Sequence, residues 1–462
     1  MKPSIKIFLI LLALGLIIAL PPLATGLQSL RLAETAPGNA ALYARAARLL
    51  PWRTDLWQQA GLAALHAGDY PSAVGYLQRA RTLHALDSDG LYALGEALWQ
   101  QGEQKTAQQI WETLLAQDSH HLPTLARLAE RYEASGNFDA AIAARRAQLE
   151  LTPIDANARL RLGMMLAAQA DPTALAELTR AAQDDPSLEP ATRSVRTALN
   201  AAFLQPDAAY QLAAAGRGLA EAGEWPLAQA AFIRAIEANR AYAEAWAWLG
   251  ETRHQLGFTD GGQYVDYAYQ LNPASSMVLA LYGLYHQRQG DDAPARSAFE
   301  ELTRREPQNP VWWVSLAAAQ ARSGLLPQAL ASYQTAIALR PQDPAYYKLL
   351  AGFCADYDFL ALEAGVGAAL EARLLAPQDP EARVLQARLM ILTGYEATAL
   401  DLLDQALALD PQNAAAAYYK GFIYFNRAET DLARIYLTQA AVRDPNGPIG
   451  AQTRNILDRY FP

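Results

Sequence analysis

Proline returns at a fixed interval along most of this chain. Pro273, Pro307, Pro341, Pro377, Pro411 and Pro445 are separated by 34, 34, 36, 34 and 34 residues. Upstream, Pro153 and Pro186 are 33 apart, and Pro51 precedes Pro153 by 102, three times 34. Proline has no amide proton to give a helix interior and its ring clashes with the preceding turn, so a regular proline marks a regular helix end. A chain punctuated in this way cannot be one compact domain. It must be a series of like units, each burying its apolar face on the next.

The residues between the prolines set the register. Units beginning at 54, 88, 122, 156, 209, 243, 276, 310, 344, 380 and 414 carry in their eighth positions Gly61, Gly95, Ala129, Gly163, Gly216, Gly250, Gly283, Ala317, Ala351, Ala387 and Gly421. Glycine inside a helix costs about 1 kcal/mol against alanine. Its recurrence predicts that the two helices of a unit cross closely there. Fourth positions are large, as in Trp57, Leu91, Leu125, Trp246, Trp313 and Tyr347, and second helices repeat small and large residues, as in Ala329, Tyr333 and Ala336.

Segments such as Trp57-x-x-Ala60-Gly61 and Trp246-x-x-Leu249-Gly250 resemble the tetratricopeptide repeat family, over about 54 to 447. The resemblance implies an all-α, right-handed superhelical solenoid of about eleven helical hairpins that binds a protein or peptide in a concave groove. It does not name the partner, because function belongs to sites and not to the fold.

Departures from the period divide the chain. Repeat six is one residue short around Thr259 to Gly262, and repeat nine has two extra residues within Tyr357 to Gly367. Arg240, the closing position of repeat five, lies 54 residues after Pro186, one period plus 20, and the extra stretch holds an apolar stripe of Ala191, Val195, Ala198, Leu199, Ala202 and Phe203 at helical spacing. The expected organisation is therefore a first array at 27–188 (a half repeat plus four repeats) and an irregular linking or capping helix within 189–207. A second array of seven repeats follows at 208–447, and a capping helix at 448–462 covers the last stacking face.

The first 26 residues read as a membrane anchor or signal segment. Lys2 and Lys6 precede the apolar run Ile7 to Leu20, which meets Pro21-Pro22 and continues through Leu23-Ala24. Its length is at the lower edge of a membrane span. Ala24-Thr25-Gly26 is a poor cleavage site, which favours a retained transmembrane helix over a cleaved signal. The lysines ahead of the run leave the N-terminus cytoplasmic and the repeats extracytoplasmic, as a single-pass membrane protein. Secretion after cleavage is the alternative. Gly26 itself is expected to lie outside the arrays.

The chemistry classes thin out quickly. A formal net charge of -9 lacks the positive field of a nucleic-acid binder. Cys354 is the one cysteine, so no internal disulfide or thiolate cluster can form; its eleventh position in repeat nine makes it a small buried hydrophobe. His66, His84, His120, His121, His254 and His286 lack ligand spacing and are expected at surfaces or turns, with no metal. There is no GxxxxGK[ST], GxSxG or HExxH motif, and Gly365-Val366-Gly367 is only a fragment of a glycine-rich loop. No catalytic residue and no cofactor is expected.

A groove remains. By family analogy, positions two, five, nine, twelve and thirteen of first helices line it. In repeats seven to eleven these include Met277, Leu284, Val311, Val314, Val384, Ile391, Tyr418, Phe422 and Phe425, an apolar stripe expected to be exposed and to take a partner. Glu251 is expected as a groove surface charge. The family's clamp for peptide carboxylates needs lysine and asparagine where repeat one has Gln58 and Leu62, so that function is not expected. The chain is similar to anchored periplasmic tetratricopeptide proteins that assist the bacterial translocon. The expected function is a non-enzymatic scaffold for an envelope or secretion complex; the alternative is an accessory subunit of cell-surface polysaccharide or glycan biosynthesis.

Overall fold

The computed structural model describes residues 20–36 and 38–461, and among them there is no strand. The chain divides after Asn239 into two compact units.

In the first unit, α1 covers 20–35 and α2 Ala40–Leu49. Hairpins follow: α3–α4 (Asp55–His66, Tyr70–Thr82), α5–α6 (Ser88–Gln100, Gln104–Gln117), α7–α8 (Leu122–Ala134, Phe138–Leu151) and α9–α10 (Ala156–Ala167, Thr173–Asp184). A 3-10 turn at Pro186–Leu188 leads to the unpaired helix α11 (Glu189–Ala202), and α12–α13 (Ala208–Glu221, Trp225–Ala238) complete the unit. In the second, the hairpins are α14–α15 (Ala243–Gln255, Gly261–Leu271), α16–α17 (Ser276–Gln289, Asp292–Arg305) and α18–α19 (Pro310–Arg322, Leu326–Leu339). Then come α20–α21 (Pro344–Asp356, Val366–Leu375), α22–α23 (Pro380–Leu392, Glu396–Leu409), α24–α25 (Ala414–Asn426, Thr430–Arg443) and the terminal α26 (Pro448–Tyr460). Every first helix starts within one residue of the position that the proline register gives.

The small eighth residues do what their recurrence implies. A Cβ added to Gly216 would stand 2.7 Å from Phe232, and one added to Gly283 would stand 2.8 Å from Phe299, both rings fully buried. At Gly250 the added atom would be 2.5 Å from Val265 and 2.6 Å from the carbonyl oxygen of Gly261. In these hairpins the second helix thus lays a large apolar side chain on the bare backbone of its partner. Burying such a side chain stabilises by roughly 1.5–3 kcal/mol.

Aromatic fourth positions add a tether. The indole N–H groups of Trp246 and Trp313 donate to the carbonyls of Arg240 and Pro307, each at 2.9 Å, and the Tyr347 hydroxyl donates to Pro341 at 3.2 Å. The helix start is thereby tied to the proline-turn residue before it. In repeat nine the two extra residues are absorbed by Leu360, at φ 49°, and a π-helical turn over Ala361–Gly365. π turns are the usual way for a helix to accommodate an insertion.

One expectation lies outside the described residues, and several others need correction. The apolar run expected to cross a membrane lies almost wholly outside the described residues, and among those no helix is long and apolar enough to do so. Residues 20–35 form one helix straight through Pro21-Pro22, with Gly26, Ser29 and Ala33 buried. Gly26 is not outside the packing: a Cβ there would meet Leu50 at 2.9 Å and Leu49 at 3.0 Å, so α1 and α2 make a full hairpin where only a half repeat is legible. His121 and His286 are not idle surface groups. His121 is buried, 2.8 Å from the Thr124 hydroxyl and 3.2 Å from Asp89, and His286 stands 3.0 Å from Asp266 and 3.3 Å from Asp291. Glu251 is buried in an ion pair with Arg288, not set on a surface. Cys354, by contrast, is the buried side chain expected, with no exposure, and burial pushes its thiol up to about 11.

Candidate partner-binding surfaces

Two regions carry exposed or cavity-lining side chains that hairpin packing does not require. The first is the stripe expected from sequence in the second unit. Its residues fall in separate clusters. Leu284 is half-buried against the cluster around Leu279 and Phe299, Val314 against that around Tyr333 and Phe353, and Ile391 against that around Leu402 and Leu403. Val384 and Tyr418, expected to be exposed, are only 7% and 6% exposed. Val384 belongs to the cluster of Leu402, Leu403 and Ala416, and Tyr418 to that of Leu437 and Ala440 with Ile449 and Leu457 packed against it. Val384 still borders a cavity of about 480 Å³ together with Leu385, Arg388, Tyr419 and Ile449 of α26.

The three rings expected on one face do not share one surroundings. Tyr418 and Phe422 stack at 6.3 Å, and Phe422 is half-buried. Phe425 instead sits beneath the chain end, with the rings of Tyr460 and Phe461 at 5.0 and 6.0 Å. Met277 is half-buried, while Val311 is exposed. Leu284, Val314, Ile391 and Phe422 therefore remain, beside Met277, as half-buried apolar side chains of this stripe. Leu284 and Phe422 hold the ninth position of their repeats; the same position in repeat nine is Gly352, where an added Cβ would meet nothing within 4 Å.

The second region lies in the first unit and was missed in the sequence. A cavity of about 770 Å³ is bordered by Ala126, Glu130, Glu133 and Ala134 of α7, by Arg145 and Gln148 of α8, by Arg161 of α9, and by Glu224, Pro226 and Leu227 at the start of α13. Arg161 holds the two sides together. Its guanidinium pairs with Glu133 of α7 and, at 2.5 Å, with Glu224. Burial alone would lower its pKa, but the hydrogen bonds it donates to both carboxylates outweigh burial and hold it raised. Arg234 of α13 stands 3.6 Å from Asp139 of α8 on the same side. Helix α11 packs closely on α12: a Cβ added to Gly218 would be 2.7 Å from Ala198, and the Ser194 hydroxyl donates to the Gly218 carbonyl at 3.1 Å. This extra helix stands between α10 and α12, while α12 and α13 still touch α9 and the start of α13 borders the cavity beside α7 and α9.

Arg145 and Gln148 are the unusual members. Arg145 is only 7% exposed and Gln148 only 5%. Arg145 Nη1 donates to Gln148 Oε1 at 2.7 Å, and Gln148 Nε2 donates to Asp155 at 3.0 Å. Burial holds the Arg145 guanidinium below its usual range. The signal was present in the register: 34 residues before Arg145 stands Trp111, and 34 before that Leu77, each laid on an eighth-position glycine.

A repeated helical hairpin with packing pairs at these positions defines an α-solenoid, a class whose folds are typically non-catalytic scaffolds for other proteins. The chain belongs to the tetratricopeptide repeat family, which it matches over residues 59–119, 213–276, 282–344 and 397–448, just over half its length. Arg145 and Gln148 fall in the first gap and the π-helical turn in the third. No curated protein matches the chain. Among solved structures, yeast Tom70 is similar at 14% identity and TM-score 0.36, over 80% of this chain and 95% of that one. The APC/C hetero-tetramer Cut9-Hcn1 is similar at 13% identity and TM-score 0.38, over 92% and 93%. PilW, a type IV pilus biogenesis factor, is similar at 16% identity and TM-score 0.41, over 46% and 98%.

Proposed function

We propose that this chain is a non-enzymatic scaffold that holds a polypeptide partner on the first-helix face of its second unit. The observation that carries the reading is the row of half-buried apolar side chains, Leu284, Val314, Ile391 and Phe422, which the hairpins leave partly open. Apolar surface held open on a rigid array is the usual mark of a partner site. The setting proposed is the extracytoplasmic face of a bacterial membrane, in the assembly of an envelope or secretion complex. That part rests on Lys2, Lys6 and the apolar run Ile7 to Leu20 alone.

Photo-crosslinking tests both parts. A benzophenone side chain at Phe422 or Ile391 should join one defined polypeptide in membranes, and the same probe at Val442, 71% exposed, should not. Equal products from all three positions would remove the stripe. Alkaline phosphatase fused after residue 462 should be active, and an inactive fusion would reverse the topology.

A further inference from the structure

We infer that the cavity of the first unit is a second ligand site, which takes a carboxylate group of a polypeptide on Arg145. Three observations converge on it. The first is position. In the other hairpins of the unit the place of Arg145 is filled by Leu77, Trp111, Leu178 and Phe232, each set against an eighth-position glycine. The place of Gln148, one turn on, is filled by Ala80, Leu114, Ala181 and Ala235, all buried. One hairpin has exchanged both of its apolar packing residues for hydrogen-bond donors, at the cost of packing that its neighbours keep.

The second observation is the unmet demand of the guanidinium. Arg145 is more than nine-tenths buried, yet among the described residues its one hydrogen bond goes to a neutral amide, and its Nε has no partner. A buried cation without a direct anion is strongly disfavoured, and arginine's planar fork matches a carboxylate.

The third is that the acids around it are already engaged. Glu133 and Glu224 both serve Arg161, Glu130 has Arg127 at 3.5 Å, and Asp155 accepts from Gln148 and from the Ala158 amide at 2.9 Å. The lining thus holds more carboxylates than guanidiniums, but the cation left without a direct counter-charge is Arg145. The cavity, about 770 Å³, has room for a side chain or a chain end with a few residues of backbone. The site is independent of the second unit's stripe, so either can fail alone.

The test uses the full chain and blocked alanine pentapeptides whose central residue is Glu, Gln or Lys, with an all-alanine peptide bearing a free C-terminal carboxylate. Calorimetry should show the Glu peptide or the free-carboxylate peptide bound at least ten-fold tighter than the Gln peptide, and which of the two wins tells a side chain from a chain end. The Lys peptide should bind no better than Gln. Arg145→Leu, which installs the residue that Leu77 supplies in the α3–α4 hairpin, should lose the preference while melting at or above the wild-type temperature. A structural keystone would do the opposite and melt lower. Should Arg145→Leu not fold, Arg145→Lys decides: the point charge without the fork should cut the preference several-fold, and an unchanged preference overturns the proposal. It is equally overturned by a wild type indifferent to the carboxylate, by a preference for Lys, or by an Arg145→Leu protein that binds as before.

Discussion

The fifteenth residue of each repeat closes the turn between its two helices, and it has to be left-handed. Gly68, Gly102, Gly136, Gly223, Gly257, Gly290, Gly324 and Gly394 have φ between 74° and 87°. Ala170, Asp358 and Ala428 hold the same place in the remaining repeats at 52°, 45° and 59°. A side chain there costs roughly 1–2 kcal/mol, against which glycine's extra entropy in the unfolded chain is smaller. Ala428→Gly should therefore stabilise by about 0.5–1 kcal/mol and Gly324→Ala destabilise by about 1 kcal/mol, read from urea midpoints at unchanged slope. Cys354 gives a second prediction at this scale. Its buried thiol, pushed up to about 11, should resist iodoacetamide at pH 8 in the native protein and react once unfolded. Because the folded value lies above the unfolded one, this group's contribution holds below the unfolded value of about 8.5 and is lost as pH rises towards 11. Fast native labelling would contradict the burial.

At the scale of the helical hairpin, the eighth-position glycines carry the clearest consequence. Gly250→Leu must push against both Val265 and the backbone oxygen of Gly261, and overpacking of this kind costs about 1–3 kcal/mol. Gly26→Leu should also lower the melting temperature, because α1 is a packed helix and not a tail. A Gly26→Leu protein that melts like wild type would undo the first hairpin. The sequence made the register legible because glycine, proline and large residues recur at positions that backbone crossing and helix ends impose locally. It left Gly26 illegible because α1 lacks that spacing and its first apolar residues look like the end of a membrane run. Val384 and Tyr418 were misplaced for a related reason: position alone cannot tell which first-helix side chains the neighbouring helices cover. Phe425, half-buried like Phe422, also meets the rings of Tyr460 and Phe461, a contact that its position in the repeat does not announce. Arg145 was legible in principle, as the one charged residue among buried knobs, but only once the place of Leu77 and Trp111 was known to pack on glycine.

For the molecule as a whole, the two units present different surfaces. The first holds a polar cavity braced by Arg161 between Glu133 and Glu224, and the second an interrupted apolar row from Leu284 to Phe422. No metal-binding cluster of three or more ligating side chains occurs among the described residues. The central claim is that the apolar row serves a polypeptide partner and not the stability of the array. Phe422→Asp and Phe425→Asp separate the two roles, because Phe422 is half-open and Phe425 lies beneath Tyr460 and Phe461. The deciding measurement is quantitative capture from membranes of the polypeptide that crosslinks at Phe422, with thermal melting of each variant alongside. The account predicts that Phe422→Asp loses the partner with little change in melting, because an unpaired carboxylate cannot be buried in the interface, while Phe425→Asp melts lower. Full retention of the partner by a folded Phe422→Asp protein would contradict it.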